Sequence, residues 1–241
     1  MVIKMKSELV LNRILNKYRK NELIFVSQLY KEEYLNVISE YSYYKIIERL
    51  NKKQKITKVS KGIYTITNVC EYGIVPIFTD DIVNSYICNQ GGVVVGYTLY
   101  NRLGISTQIS KNTLIYSSKI DNNIRKIKDV FIKRVNLIFS DDVKKMIEFL
   151  EILQNFRNIE DINYNQFVNY TEKIVNNYTD KTLELVLRQI NYKKSTLSFL
   201  HNILNFYNIE NNVSKYLSAL SDYKHLEMRD IYEITRGQKR I

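Results

Sequence analysis

The stretch that most restricts this chain is Ser39–Thr67, SEYSYYKIIERLNKKQKITKVSKGIYTIT. Tyr43, Ile46, Ile47 and Leu50 recur at the three- and four-residue spacing of one helical face. Tyr44, Lys45, Glu48, Arg49 and Lys52 are left on the outward side. Ser39 or Ser42 suits the N-cap, because a serine oxygen accepts from the free N–H groups of a first turn. Beyond Lys53 the period changes to two. Lys55–Ser60 alternates with Ile56 and Val59 inward, Lys61-Gly62 permits a turn, and Ile63–Ile66 returns. A helix running directly into a β ribbon, with lysines on both, leaves few folds open.

The residues upstream narrow the choice. Ser7–Tyr18 reads as a helix with Leu9, Val10, Ile14 and Leu15 at helical spacing and Arg13, Lys17 and Arg19 facing away. Leu23–Val26 is a short buried strand, and Ser27 suits the cap of a second helix, Gln28 to about Tyr34. Helix, strand, helix, helix, strand, strand is the order of a winged helix-turn-helix. In that fold the third helix fits a B-DNA major groove and the ribbon reaches a neighbouring groove or the backbone. The expected contacts are Tyr44, Lys45 and Glu48 nearest the bases. Ser42, Arg49, Lys52, Lys53 and Lys61 fall at phosphates, with Lys58 and Lys61 at the ribbon tip. Each lysine taken singly also suits a solvated helix face, and Arg49 also suits an ion pair with Glu33 or Glu48.

Charge supports the set. The chain is +11 overall, and residues 1–67 hold fourteen lysines and arginines against six acidic residues. Residues 68–140 hold eight against five, and residues 141–241 fourteen against fourteen. A concentrated basic region attracts polyanions through counterion release. Elsewhere the composition is that of an ordinary soluble protein: 45% hydrophobic, 25% charged, one proline and seven glycines. Cys70 and Cys88 are the only cysteines, and with His201 and His225 they offer no zinc framework. A reduced, cytoplasmic protein is expected. The opening MVIKMKSELVLNR has no apolar core of a secretion signal, and no run approaches a membrane span.

Residues 68–75 read as a junction closed by Pro76. Thr79 suits the cap of a helix over Asp80–Ile87, whose early aspartates favour its positive end. Gln90–Ile105, QGGVVVGYTLYNRLGI, lacks the Lys-Ser/Thr of a phosphate loop and the strand before a dinucleotide fingerprint. Its glycines are expected to allow close helix–sheet packing, with Gly104 ending a helix. Thr113–Ser117, Arg125–Ile127 and Asp129–Phe139 read as strands. From Asp141, taken as a cap, the period is helical: to about Phe156, then Tyr164–Asn177, Thr182–Asn191, Ser195–Tyr207 and Asn212–Tyr223, with a basic tail over Met228–Ile241. The expected class is therefore α+β, in three domains. These are a winged helix-turn-helix at 1–67, a small α/β domain at 68–140 and a helical domain with a basic C-terminal tail at 141–241.

No motif compels an enzyme. His201 follows Phe199-Leu200 and suits a core histidine, and His225 lies near a helix end. Asp80-Asp81 and Asp141-Asp142 suit magnesium ligands of a nuclease, but both stand where helices begin, and capping explains them better. No catalytic residue, metal or cofactor is assigned. An alternative reading is a winged-helix regulator with an unrelated effector domain.

Two stretches carry a family likeness: Ile47-Glu48-Arg49-Leu50 through Lys61-Gly62-Ile63-Tyr64, and Gly92 through Gln108 with its Leu103-Gly104-Ile105-Ser106-Thr107-Gln108 segment. Together they resemble the AbiEi-like antitoxins of bacterial abortive-infection, type IV toxin–antitoxin systems, with a weaker echo at Leu187–Leu204. Gln54-Lys55 stands where a glycine often precedes the wing in that family. The resemblance implies an N-terminal domain that binds and represses its own promoter. It also implies a C-terminal region that opposes a cognate nucleotidyltransferase-like toxin, without a requirement for a stable complex. The partners it implies are double-stranded promoter DNA and that toxin, with no membrane and no small-molecule cofactor.

Overall fold

The structure is a computed structural model and describes the backbone of residues 2–218, 223 and 225–238, with the side chains of 7–218, 223 and 225–235. It is a mixed α+β chain with small sheets, and it divides into two compact units, Met1–Ser85 and Tyr86–Ile241. The expected boundaries fell after residues 67 and 140. The observed division falls within one helix, α4 (Thr79–Ile87).

The first unit opens with α1 (Val2–Lys17), β1 (Ile24–Phe25), α2 (Val26–Glu33) and α3 (Glu40–Lys52). β2 (Ile56–Ser60) and β3 (Ile63–Ile66) follow and form a sheet in the order β1-β3-β2, all antiparallel. The core is continuous across these elements: Val10 and Ile14, Leu29 and Tyr30, then Tyr43, Ile46, Ile47 and Leu50, with Ile24, Ile56 and Ile66 from the strands. Those four α3 residues are the expected inward stripe. Ser27 does not cap α2. The helix begins at Val26, directly out of β1, because Val26 is buried and its N–H donates to Gly62 O at 3.2 Å. Ser39 occupies the N-cap of α3, yet its hydroxyl bonds Ser42 Oγ at 2.9 Å instead of a backbone N–H. Gly62 sits at φ +73° with nothing near where a Cβ would stand, so it is required for the turn's conformation and not for space.

Asn68–Cys70 (β4) and Gly73–Val75 (β5) pair as a two-stranded hairpin where a junction was expected. In α4, the Asp81 carboxylate accepts from Phe78 N, which is a capping contact.

In the second unit, Gly92–Val95 forms β6 and Tyr97–Arg102 forms α5. β7 (Thr113–Ser117), β8 (Ile124–Ile127) and β9 (Val130–Arg134) complete a sheet in the order β6-β7-β9-β8, with β7 and β9 parallel. The GGVVVG segment therefore contains an edge strand of the sheet, not only a packing loop. Its glycines are sterically required: a Cβ on Gly91 would lie 2.7 Å from Tyr86 O, and one on Gly92 2.4 Å from Tyr116 O. Helices α6 (Asp141–Asn155), α7 (Tyr164–Val175), α8 (Asp180–Leu187), α9 (Lys194–Phe206) and α10 (Met228–Gln238) follow. Ser140, not Asp141, caps α6: its hydroxyl accepts from Val143 N, and Asp141 lies in the first turn. The helix expected over Asn212–Tyr223 is a single 3₁₀ turn at Val213–Tyr216. Asn212 is held by Asp180 through both its backbone and its side chain. Residues 219–222 lie outside the described residues. Within the expected basic tail, Met228 and Ile231 are buried on α10, and residues 239–241 lie outside the described set. One core runs from Val93 and Val95 through α6 to Met228 and Ile231, so the sheet and the helices pack as one body.

Candidate nucleic-acid interface

α3 is amphipathic in the strict sense. Tyr43, Ile46, Ile47 and Leu50 are at most 3% exposed. Tyr41, Lys45, Glu48 and Lys52 follow each other at four-, three- and four-residue spacing, so they form one outward row with Tyr44 and Arg49 on its flanks. The structure thus brings six groups onto one exposed helix face. Lys45 Nζ lies 5.2 Å from the Tyr41 ring centroid, and Lys52 Nζ bonds Glu48 at 2.9 Å. The Glu48 carboxyl is held below the usual glutamate range, first by the Lys52 hydrogen bond and charge and then by the fields of Lys45 and Arg49. One carboxylate therefore sits within a group of three cations. Tyr44 is 37% exposed and meets the Tyr43 ring edge-on.

The remaining expected contacts lie around this face. Ser42 is half-buried and bonded to Ser39. Lys53 is the exposed C-cap residue, its N–H donating to Arg49 O. Lys58 N donates to Asn51 Oδ1 at 3.2 Å, which ties β2 to the last turn of α3. Lys58 faces Tyr64 in register, and the ladder shifts between Lys58 and Ser60 just before the exposed Lys61.

Two cations on α1, Arg13 and Lys17, are spent internally. Arg13 bonds Glu33 at 2.6 Å, and Lys17 bonds Glu32 at 2.9 Å and Glu33 at 3.2 Å. Hydrogen bonds from Arg13 and then Lys17 hold the Glu33 carboxyl down. Glu33, one of the two acids weighed as an alternative partner for Arg49, is taken by α1 instead.

Tyr41 was missed in the sequence. It is 74% exposed at the head of the outward row. The available signal was its four-residue spacing from Lys45, which places an aromatic ring beneath an ammonium.

In the second unit, the LGISTQ segment is structural. Ser106 Oγ donates to Glu160 O at 2.9 Å, and Gln108 Nε2 bonds Asp161 at 2.7 Å. Asn163 N donates to Ile105 O at 2.7 Å, so the loop after α5 is clamped to the chain entering α7. His201 is bonded by Asn211 and Asn205, and His225 bonds Ser198 Oγ and stacks on Phe199. Among the described residues, no three His, Cys, Asp or Glu side chains converge as a metal site. No helix in the described residues is long and apolar enough to cross a membrane.

Residues 11–175 match the protein family described as "Family of unknown function (DUF6088)". The chain belongs to that family. The match takes in α3, the β2–β3 ribbon, the four-stranded sheet and α6–α7. Among solved structures, the chain is similar to the RV2827C protein from Mycobacterium tuberculosis. That similarity covers 90% of this DUF6088 chain and 81% of the other, at 12% identity and a TM-score of 0.42. No curated protein matches.

Proposed function

We propose that the first unit is a winged helix-turn-helix that binds duplex DNA through α3 and the β2–β3 ribbon. On this reading the chain is an autorepressing antitoxin of the AbiEi-like, type IV kind, acting in the cytoplasm against a nucleotidyltransferase-like toxin. One observation carries the DNA reading: Lys45, Arg49 and Lys52 surround a single carboxylate on an exposed helix face whose reverse side is locked in the core. The rigid reverse side fixes where the cations stand, and that preorganises them for a regularly spaced phosphate array. Tyr44, Lys45 and Glu48 would lie nearest the bases, with Tyr41 beside them. Ser42, Arg49, Lys52, Lys53, Lys58 and Lys61 would meet phosphates. The antitoxin role rests on the family likeness of the IERL…KGIY and LGISTQ stretches.

A reporter fused to the region upstream of the chain's own gene tests the repressor role. Expression of the chain should silence it, and K45A/R49A should restore it. A reporter that the wild-type chain leaves unaffected would exclude autorepression. Co-expression with the product of the adjacent gene tests the other half. Relief of that product's toxicity is expected, and persistent toxicity would remove the antitoxin role while leaving DNA binding intact.

A further inference from the structure

The four-stranded sheet carries a second basic surface. Cross-strand partners share a face of a sheet, so the register defines two rows on one side. The first row is Val95, Leu114, Phe131 and Lys126, and the second is Val93, Tyr116, Lys133 and Ile124. Both rows run from a buried end at β6 to an exposed end at β8. Val93 and Val95 are buried within the helical core, Tyr116 and Phe131 are half-buried, and Leu114 and Ile124 are 44% and 67% exposed. Lys126 and Lys133 are exposed. The helices thus cover the β6 side and leave the β9–β8 side open.

The open half has an unusual composition. Lys126 Nζ stands 4.7 Å from the Phe131 ring centroid, and Lys133 Nζ 5.3 Å from that of Tyr116. None of the four strands contains an acidic residue, and residues 86–140 hold eight lysines and arginines against two aspartates. Cations that alternate with aromatic and aliphatic side chains on an exposed strand surface match both parts of an unpaired nucleotide, the phosphate and the base face. A duplex keeps its base faces stacked inside and would leave Phe131, Leu114 and Ile124 without a partner.

We propose that this open half of the sheet binds a single-stranded polynucleotide. Lys126 and Lys133 hold its phosphates, and a base stacks on Phe131 between Leu114 and Ile124. As Lys126 swings from the ring to a phosphate, the ring face becomes available to the base. The proposal uses no residue of α3, so it stands or falls separately from the duplex reading.

The test uses the full chain and fluorescein-labelled oligouridylate, oligothymidylate and a random-sequence duplex of equal length, followed by anisotropy. At least one single strand should bind. K126A/K133A should weaken it about tenfold and lower the salt slope by roughly 1.4, since each single-strand phosphate contact is worth about 0.7. F131L keeps the side chain's bulk but removes the ring; it should weaken binding about fivefold with the slope unchanged. K45A/R49A should leave single-strand binding as it was. Circular dichroism melts establish that each variant is folded. The proposal is overturned if neither strand binds, if the sheet variants bind like wild type, or if the duplex competes equally at the same residues.

Discussion

α3 and the open half of the β9–β8 sheet both set a lysine over an aromatic ring: Lys45 over Tyr41, and Lys126 over Phe131. Their surroundings differ. On α3 the cations share the face with Glu48 and the hydroxyl of Tyr44, polar groups that can distinguish base edges. On the sheet the neighbours are Leu114 and Ile124, which offer area without hydrogen bonds. On the two proposed readings, similar charge would serve two purposes: the polar helix would read a groove, and the more apolar strand face would stack bases. Charge distribution alone does not separate them. The first unit has fourteen basic residues against nine acidic, and the second twenty-two against sixteen.

The buried tyrosines next to the two surfaces differ as well. Under α3, the buried Tyr43 hydroxyl has no hydrogen-bond partner among the described residues, and burial pushes its pKa up. On the sheet face itself, where the helices begin to cover it, Tyr116 OH donates to the carboxylate of buried Glu151 at 2.9 Å.

The largest expected effect that separates the surfaces is in binding. K45A/R49A should weaken duplex DNA by tenfold or more, the equivalent of about 1.4 kcal/mol, while K126A/K133A should barely change it. The next is in stability. Tyr116→Phe removes a donor from a buried carboxylate and should cost roughly 1–3 kcal/mol, whereas Tyr43→Phe should stay within about 0.5 kcal/mol. Urea denaturation of both variants measures this. If Tyr43→Phe proved as costly as Tyr116→Phe, the contrast between the two tyrosines would disappear.

A smaller effect is pH-dependent. Burial raises the Glu151 carboxyl above the ordinary glutamate value, opposed by the Tyr116 hydrogen bond and the Lys133 charge. The native chain therefore holds this proton more tightly than the unfolded chain. The contribution is fully present below the unfolded value and is lost as pH rises through the folded one. Thermal melts should show Glu151→Gln losing less stability than wild type as pH rises above the normal glutamate range. Parallel curves would mean that Glu151 does not titrate there.

The smallest effect is in the caps. Ser140→Ala should cost about 1 kcal/mol because it frees Val143 N, and Ser39→Ala only a few tenths.

The first 67 residues were legible because the helices there each have one wet face. Ile46, Ile47 and Leu50 announce α3 by spacing, and Lys61-Gly62 announces the ribbon turn. Less was visible where both faces are covered. β6 reads as an uninterrupted Gly-Val run with no alternation, because Val93 and Val95 face the helices while Val94 is buried on the opposite side. Helix starts went astray at Val26 and Ser140, where a tertiary bond or a neighbouring cap outweighed local preference. Of the site, the α3 cations were readable from periodicity. Tyr41 was not singled out, and the sheet lysines became a surface only once the register aligned Lys126 with Phe131 and Lys133 with Tyr116.

The most direct measurement is the salt dependence of full-chain binding to a labelled duplex from the upstream region. Tight, sequence-preferring binding is expected, with a slope that falls by about 1.8 in R49A/K52A, or 0.9 for each lost phosphate contact. A wild-type slope retained in that variant, or no preference over a scrambled duplex, would contradict the role given to α3.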